Sequence, residues 1–252
     1  MDSERKVAVL FDAENIASKY TPVILNEANA LGSVIIRRIY GDWTAREMSS
    51  WKQVILDHSI QPIQQYRNVS GKNSSDSALI IDAMDLLYQG RVDTFCIVSS
   101  DSDFTRLAAR LRESEKFVLG LGEQKTPRPF IAACEKFKYL EALSTVTAPA
   151  AKNESPKAAP DLSSKAPVRR TQGDVQELIE AIRSIVEETS DEDGWAYMGD
   201  VGNMLNKRYP DFDTRNYGFS KLTPLVGSLQ QFDIMSRKTS NPHVTRTFLR
   251  NR

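Results

Sequence analysis

At 252 residues with 40% hydrophobic content, the chain is long enough for two small domains or one large one and apolar enough to fold as a soluble globule. Lys plus Arg and Asp plus Glu both number 33, so net charge gives no reason to expect a polyanionic partner, and any such reason rests on local clustering. No apolar stretch approaches membrane-spanning length, no secretory core precedes the first strand-like run, and Cys96 and Cys134 lack the spacing of a zinc site or disulfide framework; these features predict a cytoplasmic protein with reduced cysteines and no membrane contact.

In chain order, Val7 to Phe11 and Val34 to Tyr40 are apolar or β-branched runs of strand length. Thr44 to His58 and Ser75 to Tyr88 have helical length and spacing. Thr94 to Val98 is a third strand, Asp103 to Arg112 a further helix, and Phe117 to Leu121 a fourth strand, with Tyr139 beginning or closing a fifth. Strands alternating with helices predict an α/β fold with a mostly parallel sheet covered by helices. Gly120-Leu121-Gly122 is not a dinucleotide fingerprint, because it follows a late strand and lacks the third glycine.

From Thr145 to Gln172 the sequence is dominated by Ala, Pro, Ser, Lys and Thr, too poor in large apolar residues to offset its ordering entropy, and reads as a flexible linker. Beyond it, Val175, Leu178, Ile179, Ile182, Ile185 and Val186 form one helical stripe. Val201, Met204 and Leu205 lie on a second helix, and Leu222, Leu225, Val226 and Leu229 on a third with Pro224 near its start. Phe232 to Ser236 and Val244 to Leu249 then pair as a hairpin, giving a winged-helix arrangement with Trp195 expected to anchor the helix packing. The domains are therefore expected at 1–144, 145–172 and 173–252.

The first strand runs out into Asp12-Ala13-Glu14-Asn15 and the third into Ser99-Ser100-Asp101-Ser102-Asp103. Both deliver carboxylates to the carboxyl edge of the sheet, where open α/β sheets bind ligands. Lys72-Asn73-Ser74-Ser75-Asp76 opens the helix between them and places Asp76 in its first turn. Asp82 and Asp85 follow at other azimuths. Clustered carboxylates repel unless protonated or neutralised, and hard oxygen donors suit Mg²⁺ or Mn²⁺. The chemistry this favours is metal-assisted phosphodiester hydrolysis. Candidate metal ligands are Asp12, Asp76, Asp101 and Asp103, with Asn15 beside them. Lys72, Ser99 and Ser100 are candidate phosphate contacts. Each aspartate taken alone also suits a helix cap. Arg37 and Arg38 must point to opposite sides of their strand, so at most one faces the active edge. In the last block, Arg237, Lys238, Arg246, Arg250 and Arg252 occur with no acid from Ser236 onward; Arg237, Lys238 and Arg246 are candidate phosphate contacts. Strict alternation puts Arg246 on the same side as Val244 and Phe248, so its exposure requires the strand to twist or bulge.

Three segments, Phe11-Asp12-Ala13-Glu14-Asn15, Lys72-Asn73-Ser74-Ser75-Asp76 and Ser99-Ser100-Asp101-Ser102-Asp103-Phe104, together resemble the NYN domain family, the LabA-like branch of the PIN-like nucleases. The resemblance covers about the first 140 residues and implies an α/β/α sandwich with a divalent-metal ribonuclease site at Asp12, Asp76, Asp101 and Asp103, Asn15 partnering Asp12. Asp82 matches a further helix acid less closely, and Asn73 stands where many relatives have glycine. In the last block, Gly194-Trp195-Ala196-Tyr197-Met198-Gly199, Tyr209-Pro210-Asp211-Phe212-Asp213 and Tyr217-Gly218-Phe219-Ser220-Lys221-Leu222 resemble a LOTUS, or OST-type helix-turn-helix, domain. That implies RNA, single-stranded or structured, or a protein partner as ligand. The expected function is a metal-dependent endoribonuclease with a C-terminal RNA-binding or targeting module. A non-catalytic RNA-binding adaptor and a protein-interaction scaffold are the alternatives.

Overall fold

The computed structural model describes residues 4–66, 74–146, 172–238 and 245–252, and the chain divides into two compact units, Met1–Ser144 and Thr145–Arg252. The expected linker lies mainly outside the described residues, as does Lys72.

The first unit runs β1 (Lys6–Asp12), α1 (Thr21–Asn29), β2 (Ser33–Gly41), α2 (Trp51–Asp57), β3 (Gln61–Gln64), α3 (Ser74–Tyr88), β4 (Thr94–Val98), α4 (Thr105–Glu113), β5 (Phe117–Gly122), α5 (Arg128–Ala133), β6 (Lys136–Tyr139) and α6 (Leu140–Val146). The sheet order is β3-β2-β1-β4-β5-β6, and every pairing is parallel. Tyr139 closes the short strand β6. The helix expected over Thr44 to His58 is divided into a 3-10 turn, Arg46–Ser50, and α2. β3, which the apolar pattern does not reveal, is an edge strand of sequence QPIQ, where proline is tolerated because one side needs no ladder donor.

Strand alternation decides what lies on each face. Val7, Val9 and Phe11 of β1 share a buried cluster with Ile24, Leu25 and Ala28 of α1, Trp51, Leu140 and Leu143. Ala8 and Leu10 are equally buried and point the other way, to the face on which α3 packs against β1 and β2. Asp12 continues that second series, so β1 directs it toward α3. Arg37 and Arg38 separate as alternation requires: Arg37 Nη1 donates to the His58 carbonyl oxygen at 3.0 Å, whereas Arg38 Nη1 reaches Asp82 of α3 at 2.9 Å. Chain order reverses between β1 and β4, so the crevice at their carboxyl ends lies at the topological switch point.

The second unit comprises α7 (Gln172–Thr189), β7 (Ala196–Tyr197), α8 (Met198–Arg208), α9 (Leu222–Leu229), β8 (Phe232–Lys238) and β9 (Thr245–Asn251). Its sheet has the order β7-β9-β8, so the expected hairpin gains a third strand. Ile182, Ile185, Val201, Leu205, Leu225, Val226 and Leu249 lie in one core, with Phe212 buried and Tyr217, Phe219 and Leu222 packed partly against it. Asp213 accepts a hydrogen bond from the Arg215 amide at the start of the turn Thr214–Tyr217, which Gly218 ends at φ +81°, a conformation glycine adopts without strain. No helix among the described residues is long and apolar enough to cross a membrane. Cys96 and Cys134 are buried and unpaired, and burial pushes both thiols up to about 12.

Candidate metal centre

Asp12 ends β1 almost fully buried, 1% exposed. Its carboxylate accepts from Asn15 Nδ2 at 2.8 Å, Ser99 Oγ at 2.7 Å and the Glu14 amide at 3.1 Å. Burial raises its pKa above the usual carboxylate range, against the lowering effect of these donors. Ser99 arrives from β4: Cys96 and Val98 belong to the α1-side cluster, so Ile97 and Ser99 take the opposite face and meet Asp12.

Asp76 is placed by the first turn of α3 and is 7% exposed. Burial pushes its carboxyl up to about 7, reinforced by the negative charges of Asp12, Asp101, Asp103 and Glu14. One carboxylate oxygen from each of Asp76, Asp101 and Asp103 lies within 4.8 Å of the others. Asp101 is half-buried and Asp103 exposed, so the group opens to solvent on one side. Such a donor set fits a divalent cation, since three carboxylates this close either hold protons or are neutralised by positive charge. All-oxygen coordination with room for water suits Mg²⁺ or Mn²⁺.

The other expected residues take different places. Asp101 both joins the cluster and caps the turn Ser102–Phe104, accepting from the Asp103 amide at 2.9 Å, so capping and clustering are not alternatives here. Asn15 holds Asp12. Ser99, expected at phosphate, is fully buried, with Oγ donating to Asp12 and accepting from the Asp101 amide at 3.0 Å. Ser100 Oγ accepts from the Glu123 amide at 2.9 Å. The Ser99 hydroxyl takes the Asp12 face because β4's alternation continues past Val98, whereas Ser100 is engaged by the exit of β5. Asp82 stands apart from the three-carboxylate group, accepting from Tyr40 Oη at 2.6 Å and pairing with Arg38 at 2.9 Å.

Glu14, in the same acidic turn as Asp12 but not among the candidate ligands, adds negative charge that helps raise Asp76. Asp42, at the exit of β2, is also buried, but its Oδ1 accepts from the Thr44 amide, Thr44 Oγ1 and Gln64 Nε2 at 2.6–3.1 Å and holds the turn. Gly122 lets β4 and β5 close beneath the site, since a Cβ there would lie 2.6 Å from the Ser99 carbonyl oxygen.

In the second unit Arg237 and Arg246 are exposed, whereas the Lys238 side chain lies outside what the structure describes. Arg250 and Arg252 are paired with Asp233 at 3.1 and 2.9 Å, which holds that carboxyl below the usual range through hydrogen bonds from Arg252 and then Arg250. The basic tail therefore contributes less unbalanced charge than its sequence suggests. Trp195, expected among the helices, lies instead beneath the Arg250 guanidinium at 4.7 Å and outside the buried core cluster.

Compared with known proteins, residues 6–141 match the family model of the NYN domain and residues 172–244 that of the OST-HTH/LOTUS domain. No curated protein matches the chain. Among solved structures it is similar to a protein of unknown function from Vibrio parahaemolyticus, at 18% identity and a TM-score of 0.45 over 54% of this chain and 93% of that one. An uncharacterized protein from Nitrosomonas europaea matches at 28% identity and a TM-score of 0.31, over 40% of this chain and 92% of that one. A protein from Chromobacterium violaceum matches at 29% identity and a TM-score of 0.25, over 30% of this chain and 79% of that one.

Proposed function

Since the chain belongs to the NYN domain family, with an OST-HTH/LOTUS domain following the NYN domain, we propose that it is a divalent-metal-dependent endoribonuclease whose second unit holds the RNA. The family places it in the PIN-like nuclease superfamily and beside an RNA-binding module. The observation that carries the finer reading is the convergence of Asp76, Asp101 and Asp103 at the switch point of the sheet.

In this reading Asp76, Asp101 and Asp103 hold Mg²⁺ or Mn²⁺, with Asp12 at their inner side. A divalent cation bound there supplies a Lewis acid for a phosphodiester oxygen and lowers the pKa of attacking water. The protein supplies geometry. Ser99 and Asn15 fix the Asp12 carboxylate, and the Asp103 amide fixes Asp101. Such pre-oriented supports keep ligands from spending binding energy on reorganisation. Asp103 at the solvent side is where a phosphate of the RNA approaches, and Lys72 precedes the helix that carries Asp76 and is assigned to phosphate on that ground. No side-chain nucleophile is required when a metal-activated water attacks phosphorus.

The test is cleavage of single-stranded RNA by the full chain in Mg²⁺ or Mn²⁺ against EDTA, with DNA of the same sequence alongside. Asp12→Asn and Asp101→Asn are each expected to lower cleavage by at least about a hundredfold, in line with losing charge stabilisation at phosphorus, while the fold persists. Equal cleavage by both variants would assign the activity elsewhere, and metal-independent RNA binding without cleavage would make the chain an adaptor.

A further inference from the structure

A winged helix ordinarily presents its third helix to nucleic acid. Here α9 has the sequence LTPLVGSL and no charged side chain. On α7, Glu177, Glu180 and Glu187 are exposed, and Arg208 of α8 is ion-paired with Glu188. Exposed Lys207 of α8 and Lys221 at the start of α9 are separate cations on the helices, and no aromatic ring lies within α7, α8 or α9.

The outer face of the sheet differs. Ala196 and Leu249, paired across β7 and β9, are fully buried, so alternation turns the next pair, Tyr197 and Phe248, outward. Register places Arg237 opposite Arg246 on that same face. The Arg237 guanidinium lies 5.2 Å from the centre of the Phe248 ring, that of Arg246 5.5 Å from Tyr197, and the two rings are 5.9 Å apart. Gly199 permits the arrangement, since a Cβ there would sit 2.5 Å from the Tyr197 ring. Among the described residues neither Arg237 nor Arg246 pairs with a carboxylate. Exposed cations alternating with half-exposed rings fit unpaired bases joined by phosphates: a ring or guanidinium plane stacks on a base, and the charge meets the backbone.

We propose that the outer face of this three-stranded sheet, and not the third helix, is where the second unit binds single-stranded RNA. Bases stack at Tyr197 and Phe248, and phosphates meet Arg237 and Arg246. This rests on the RNA-binding reading of the OST-HTH/LOTUS domain and assigns that binding to a surface.

The test is fluorescence anisotropy of a labelled single-stranded RNA with the full chain in EDTA, so that cleavage does not intervene, over a series of salt concentrations. Circular dichroism of each variant checks the fold. Tyr197→Ala is expected to weaken binding roughly tenfold with little change in salt slope, and Tyr197→Trp to retain it. Arg237→Ala with Arg246→Ala is expected to reduce the slope of log affinity against log salt by about 1.4. Wild-type binding left intact by all these changes would overturn the sheet assignment and leave the RNA-binding reading standing. A preference for duplex over single strands would also overturn it. Absence of binding by the wild type would remove that reading and this inference together.

Discussion

Ser99 Oγ donates a 2.7 Å hydrogen bond to Asp12 Oδ2, joining residues 87 positions apart in the chain and fastening the carboxyl end of β4 to that of β1. Both groups are buried, so the bond has no water to replace it. Ser99→Ala is expected to cost about 1–3 kcal/mol, the penalty of leaving a buried polar group short of a partner, measured as a lowered midpoint in urea. Cleavage should fall by less than in Asp101→Asn, because Ser99 acts through Asp12.

The raised carboxyl of Asp76 makes stability depend on pH. Its folded value of about 7 lies above the unfolded 3.8, so the folded state binds the proton more tightly. This contribution is complete below about pH 4 and is lost as pH rises through about 7; the raised Asp12 acts in the same direction. Melting in EDTA should therefore occur several degrees lower at about pH 8 than at about pH 5. Mn²⁺ should restore more stability at the higher pH, where the carboxylates are ionised. A melting temperature that rises with pH in EDTA would contradict this.

Asp76→Asn removes one member of a repelling group, and should stabilise the metal-free protein at about pH 8 by roughly 1–3 kcal/mol while weakening the response to Mn²⁺. Asp82→Asn should do the reverse. It weakens the bonds to Arg38 and Tyr40, lowering stability by about 1 kcal/mol, and leaves the Mn²⁺ response in place. Denaturant titrations of the pair with and without Mn²⁺ separate the two aspartates.

Gly122→Ala would bring a Cβ to 2.6 Å from the Ser99 carbonyl oxygen and from Thr126 Oγ1. Overpacking of this kind costs about 1–3 kcal/mol, read as a lower urea midpoint. The displaced β4 exit should weaken Mn²⁺ binding as well.

Much of the first unit was legible because a parallel strand buried on both faces leaves a nearly continuous apolar run, as in Val7 to Phe11 and Thr94 to Val98. An acid at the end of such a run stands at the sheet's carboxyl edge, which is why Asp12 and Asp101 are expected beside one cleft with Asp103 and with Asp76 of α3; the carboxylates grouped in the structure are Asp76, Asp101 and Asp103, while Asp12 is held by Asn15 and Ser99. β3 was not legible, since QPIQ at a sheet edge has neither the apolar run nor the length of a central strand. The inward turn of Ser99 was recoverable by carrying β4's alternation one residue past Val98, but serines in a turn also suit phosphate, and composition does not decide between them. In the second unit the errors came from register. Only the pairing of β8 with β9 brings Asp233 opposite Arg250, and only the third strand β7 turns Tyr197 and its neighbour Trp195 toward the arginines instead of the helices.

The most direct test of the central claim is Mn²⁺ binding to the full chain, followed by the loss of the free-ion signal in electron paramagnetic resonance. Binding by the wild type, weakened at least about tenfold in each of Asp76→Asn, Asp101→Asn and Asp103→Asn and unchanged in Asp82→Asn, is the result predicted. Equal binding by the wild type and the three cluster variants, or no binding by any of them, would contradict it.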